Sequence, residues 1–164
     1  MEAFFFYLFG GISIAAALLV ITRRNPVTSA IFLILCLFCL AVLYVLLRAH
    51  FVAVIQVLVY AGAIMVLFLF VIMLLNLSRL EFGKVRNLVV KVAGAVLGVV
   101  LLINLLAAVN KPLLPEGAAL GEGFGGTERV GMLLFSSYLI PFEVASVLLL
   151  AAIIGAIVLA RREF

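Results

Sequence analysis

The sequence predicts an all-α integral membrane protein, a bundle of five transmembrane helices with its amino terminus outside and its carboxyl terminus in the cytoplasm. Three observations predict it. Of the 164 residues, 69% are hydrophobic and 11% charged, with a mean hydropathy of +1.50, which is more apolar surface than a soluble domain of this size could hide. The apolar residues fall into five runs, each long enough at ~1.5 Å per residue to cross a ~30 Å hydrocarbon core. Lysine and arginine are distributed unevenly between alternate loops, as in polytopic membrane proteins.

The first span is Ala3 to Ile21. The chain begins Met-Glu and meets its first arginines at Arg23 and Arg24, so it lacks the positive lead of a signal peptide, and this segment is expected to be a retained span. A turn from Thr22 to Pro26, closed by a proline suited to opening a helix, leads to the second span, Val27 to Leu47. Three residues, Arg48 to His50, then lead to the third span, Phe51 to Leu77. That span contains no Lys, Arg, Asp or Glu and is long enough to tilt or protrude. Turns this short make the first three helices antiparallel neighbours.

The fourth span is Leu88 to Val109 and the fifth is Tyr138 to Ala160. Between them Asn110 to Ser137 holds six of the thirteen glycines, two of the four prolines, and Glu116, Glu122 and Glu128. This reads as an exposed or partner-covered outer loop, with Val130 to Phe135 lying in the membrane interface. Residues 1–164 read as a single membrane domain without a fixed-period or inverted repeat.

Orientation follows from the loops. One side receives Arg23, Arg24, Arg79, Lys84, Arg86, Lys91, Arg161 and Arg162; the other receives Arg48, Lys111 and Arg129. By the positive-inside rule the first side is cytoplasmic. The net charge of +4 is thus a topology signal and calls for no nucleic acid.

Absences narrow the chemistry. There is no Asp and no Trp, and His50 is the single histidine, so no haem-ligating histidine pair, zinc set or catalytic triad can be assembled within the chain. Cys36 and Cys39 have C-x-x-C spacing, but they lie in mid-span, where nothing activates a thiol and small helix-packing residues are the expected role. Gly121, Gly123 and Gly126 match G-x-G-x-x-G without the strand that a dinucleotide site needs. Gly94 and Gly98 form a G-x-x-x-G expected to be a close helix contact. Asn76, Asn104 and Lys91 fit helix-to-helix hydrogen bonding or snorkelling.

The remaining polar groups inside spans are the informative ones. Gln56 and Tyr60 are four apart and so share a helix face, with Gly62 half a turn beyond, where helical bonding is most easily perturbed. Widened π turns tend to occur at functional positions. The residues alone support equally a Tyr60 that hydrogen-bonds a neighbouring helix, beside small residues that permit close packing. Glu143 follows Pro141 and Phe142 near the outer end of the fifth span. A charged carboxylate near mid-membrane costs about 3 kcal/mol on insertion scales. Its expected place in the first turn of the helix favours capping slightly over proton carrying.

At this point the residues carry a resemblance. The run VIQVLVYAGAIMVLFLFVIMLLN, Val54 to Asn76, resembles the signature third helix of the J-type membrane subunit of respiratory complex I, the counterpart of chain 6 in the mitochondrial enzyme. The closing run SSYLIPFEVASVLLLAAIIGAIVLARR, Ser136 to Arg162, and the turn RNP at Arg24 to Pro26 resemble the same family. The resemblance implies a multi-pass subunit of a proton-translocating NADH:quinone oxidoreductase in the bacterial inner membrane. It also implies that the chain itself has no redox centre. NADH, FMN, iron-sulfur clusters and quinone then belong to partner subunits, and the neighbours are the K-type, A-type, H-type and N-type membrane subunits and lipid.

It further implies a third helix that converts between regular and π-bulged forms, opening and closing a hydrated proton path toward carboxylates of the K-type subunit. On that reading Tyr60 lines the path and Gly62 permits the rearrangement, with Gln56, Ala63 and Met65 completing the gate and Glu143 matching a family glutamate. Moving one turn between i+4 and i+5 bonding rotates every residue beyond it by roughly 100°. Such a rotation would move Ile64, Met65, Val66 and Leu67 into or out of a water chain. Two other readings stand beside it: a structural bundle that seals and positions its neighbours, and an independent small transporter, for which the paired broken helices and intramembrane charges are missing.

Overall fold

The computed structural model describes residues 1–75, 88–109 and 123–161. They form helices joined by turns, with no strand among the described residues. The helices are α1 (Glu2–Thr22), α2 (Pro26–Leu46), α3 (His50–Ile55), a π-helical segment (Gln56–Ile64), α4 (Met65–Leu75), α5 (Leu88–Val109), α6 (Thr127–Phe135) and α7 (Leu139–Ala160). The helices α3, π and α4 run on without a break as the third span, His50–Leu75. The chain separates into two units, one of residues 1–74 with 122–164 and the other of residues 75–121.

Among the described residues four helices are long and apolar enough to cross a membrane: Glu2–Thr22, Pro26–Leu46, His50–Leu75 and Leu139–Ala160. A helix, α5, occupies the expected fourth span, but the apolar stretch within it, Val92–Ala108, is shorter than these four. Asn76 and the side chain of Lys91 lie outside the described residues, as do residues 110–122 of the expected outer loop.

In the first unit α1 packs along α2, and α2 packs in turn against α3 and the π segment. The turn between α1 and α2 is built as the sequence indicates. Pro26 takes the first helical position, while the Asn25 side chain accepts hydrogen bonds from the Val27 and Thr28 amides at 2.9 and 3.4 Å. This arrangement satisfies donors that the start of a helix leaves free. Small residues make the contact between these helices: Ala16, Ala30, Cys39 and Ala41 are all buried. The Ser13 hydroxyl lies 3.3 Å from the Cys36 thiol, and the Ser29 hydroxyl donates to the Val20 carbonyl. Cys39 therefore has the packing role expected of it, whereas Cys36 also takes part in a polar link.

The close of α2 is unusual. The Arg48 and Ala49 amides donate to the Val45 and Tyr44 carbonyls, both at 2.9 Å, in the paired pattern that ends many helices with a left-handed residue. Glycine is usual at that residue; here it is Arg48, at φ 59°.

The end of the expected outer loop is helical, because α6 spans Thr127–Phe135. It packs on α7, where the Phe135 and Phe142 rings meet edge to face at 5.0 Å. Asn104 donates to the Val100 carbonyl of its own helix at 2.8 Å. Side chains built at Gly94 and Gly98 would meet nothing within 4 Å, so that G-x-x-x-G makes no close helix contact among the described residues.

Candidate functional site

The π segment is the local feature on which the site is built. Gly62 is where its wide turns need room, because a Cβ placed there would lie 3.1 Å from the Val57 carbonyl oxygen five residues back. That is tighter than an ordinary contact, so any other side chain would push the carbonyl aside. Glycine also carries the weakest commitment to i→i+4 geometry.

The segment changes which residues look inward. Buried residues of the third span are Ala53, Gln56, Met65 and Ile72; Gln56 is 8% exposed and Met65 5%. Met65 follows Gln56 by nine positions. In an uninterrupted α-helix, at about 3.6 residues per turn, these two would lie about 180° apart. With i→i+5 bonding, at roughly 4.4 residues per turn, they come within about 20°. Their joint burial is therefore a property of the π form.

Tyr60 is 50% exposed, and Ala63, Ile64, Val66 and Leu67 are exposed too. The expected shared face of Gln56 and Tyr60 is thus split in practice: Gln56 is covered while Tyr60 stays half open. No hydrogen bond joins the Tyr60 hydroxyl to another described residue, so the neighbouring-helix bond is not made among them. The structure brings Gln56, Tyr60, Gly62, Ala63 and Met65 together on one stretch, with polar groups facing both α2 and the exterior.

Glu143 is placed differently from the expectation. The helix α7 begins at Leu139 with no side-chain cap and has no acidic residue in its first turn. As its fifth residue, Glu143 lies beyond the amides that a capping carboxylate reaches. Its carboxylate is exposed and makes no ion pair or hydrogen bond with another described residue. No residue of α7 is buried. Among the described residues no three His, Cys, Asp or Glu side chains lie close enough to hold a metal ion. What the site offers chemically is a π-wound backbone and the half-exposed hydroxyl of Tyr60.

One participant escapes sequence reasoning. The start of the third span has no side-chain cap; instead the Phe51 amide donates to the Gly125 carbonyl at 2.9 Å. Gly125 has φ +73°, and a Cβ on it would lie 2.1 Å from the Arg48 carbonyl oxygen. The signal was the cluster of glycines in the outer loop, which composition marks as a turn but cannot assign to a partner far away in sequence. Beside this contact lies an apolar groove of about 460 Å³ between α2 and the third span, lined among others by Phe38, Val45, His50 and Val54.

The family model for NADH-ubiquinone/plastoquinone oxidoreductase chain 6 matches residues 16–159. The NADH-quinone oxidoreductase subunit J of Pseudomonas aeruginosa is 38% identical over 98% of this chain and 97% of its own length. The Escherichia coli protein of the same name is 37% identical over 98% of this chain and 87% of its own. The NADH-ubiquinone oxidoreductase chain 6 of the alga Prototheca wickerhamii is 38% identical over the same shares. The chain belongs to the NADH-ubiquinone/plastoquinone oxidoreductase chain 6 family, whose bacterial members are the subunits J.

Proposed function

We propose that this chain is a membrane-arm subunit of a proton-translocating NADH:quinone oxidoreductase in the bacterial inner membrane, and that its third span gates a hydrated proton path. The observation that carries the reading is the joint burial of Gln56 and Met65 across the π segment. If the segment becomes regular helix while α3 stays in place, Met65 and Ile72 leave the packed face. Positions four, seven, eleven and fourteen beyond Gln56 then replace them: Tyr60, Ala63, Leu67 and Phe70. An apolar plug thus leaves the outer face or enters it, while the Tyr60 hydroxyl moves relative to the water it would hold.

The path itself lies between chains. Tyr60 is half exposed and α7 has no buried residue, which supports a route bounded on its other side by neighbouring membrane subunits, the K-type first and then the A-type, H-type and N-type. NADH, FMN, iron-sulfur clusters and quinone belong to those and further partners. The bond between Phe51 and Gly125, which puts both residues on one side of the membrane, and the excess of Lys and Arg in alternate loops together support the five-span topology with the amino terminus outside.

The test is a structure of the intact assembly at rest and during turnover. The expected result is two forms of the third span, π with Met65 packed and α with Met65 turned away, with water beside Tyr60 in one of them. A span that keeps one conformation throughout, with Tyr60 against lipid and no water nearby, would overturn the proposal.

A further inference from the structure

We infer that the Gly123–Gly126 turn of the outer loop clamps the start of the third span, so that Gly125 is a positioning residue and the rotation of the gate is confined to the cytoplasmic half. The inference rests on the gate just proposed.

Three observations converge on this contact. The first turn of α3 lacks a side-chain cap, and a helix start leaves several amides without partners. Gly125 supplies a partner for one of them, accepting from the Phe51 amide at 2.9 Å. Next, the approach is closer than any side chain permits. Gly125 sits at φ +73°, and its absent Cβ would meet the Arg48 carbonyl oxygen at 2.1 Å and the Ala49 Cα at 2.9 Å. Finally, the turn it presses on is itself held in an unfavourable form, with Arg48 at φ 59°, a conformation that persists where surrounding structure over-determines it.

Clamp and turn together fix the azimuth of His50 and Phe51. If α3 turned by the roughly 100° that one π turn absorbs, the Phe51 amide would leave Gly125 and the Arg48 turn would be driven into it. Among the described residues the other end has no such tie, since α4 carries no polar side chain and no backbone hydrogen bond joins it to another segment. A change of winding between two ends, one fixed and one free, appears entirely at the free end. Gly125 thus determines that Met65–Leu75 turn while His50–Ile55 do not. Without that fixed end the same change would be shared between both halves, and the swap of residues around Met65 would be incomplete.

Spin-label distances in the intact, membrane-reconstituted assembly test this, in a background with C36S and C39A. One label goes at Leu47 and the second at either Val54, before the π segment, or Leu67, after it. The expected result is a Leu47 to Val54 distance that is the same at rest and in turnover, and a Leu47 to Leu67 distance that changes. Gly125→Ala should make the Val54 distance change as well and lower protons moved per electron at least twofold. Electron transfer from the donor to an acceptor that bypasses quinone should persist.

A Val54 distance that shifts in the wild type overturns the clamp and leaves the gate standing. So does a Gly125→Ala assembly with unaltered distances and proton ratio. Both distances staying constant in the wild type would sink the gate itself and the clamp with it. If Gly125→Ala does not assemble, the two wild-type distances alone decide.

Discussion

Replacing Gly62 with valine perturbs the π segment at its tightest point. A Cβ at this position lies 3.1 Å from the Val57 carbonyl oxygen, so that oxygen must retreat by a few tenths of an ångström while remaining within the i→i+5 ladder. Overpacking of this kind starts at about 1 kcal/mol, which lowers the ratio of π to α form about fivefold for Gly62→Ala. Valine adds two γ carbons with essentially one helical rotamer, taking the penalty to about 2 kcal/mol and the ratio down about thirtyfold. In regular helix the Val57 carbonyl is no longer stacked over Gly62, so the penalty falls on one form only.

The assay uses membrane vesicles carrying the assembled enzyme. It measures donor-to-quinone rate, proton uptake by a pH-sensitive dye, and donor oxidation by an acceptor that bypasses quinone as a measure of assembly. Gly62→Val should lose most proton pumping and quinone turnover while keeping the bypass rate, with Gly62→Ala in between. Wild-type pumping and turnover in both variants would refute the reasoning. So would an equal loss from Ala61→Val, which adds volume one position away and would mark the span as packing alone.

Tyr60→Phe removes a hydroxyl that has no partner among the described residues, so assembly should be normal and coupled turnover severalfold slower. Wild-type rates and proton stoichiometry would reduce the ring to packing. Asn25→Ala removes both capping bonds at the start of α2 at a cost of about 1 kcal/mol, and the thermal midpoint of the purified assembly should fall. An unchanged midpoint would mean that water caps the helix as well as the side chain does.

Much of this molecule follows from local sequence. The uncharged run around Gln56 and Tyr60 can only be a lipid-embedded helix, because an unpaired backbone in hydrocarbon is too costly. The pair Asn25 and Pro26 sets the start of α2 through atoms two and three residues away, which is why it was legible. The weakness at Gly62 was legible as well, since it needs only a missing side chain.

Tertiary structure decided the rest. Periodicity read at 3.6 residues per turn places Gln56 beside Tyr60 and opposite Met65; the i→i+5 winding and the cover given by α2 instead bury Gln56 with Met65 and leave Tyr60 half open. The span expected from Tyr138 starts at Leu139, which makes Glu143 the fifth residue of α7 and puts it beyond the first turn where capping was expected. The cap on Phe51 comes from Gly125, some seventy residues on. A carbonyl is common to every residue, so its choice of partner leaves no mark in composition, and only the fold that returns the outer loop to the Arg48 turn selects it.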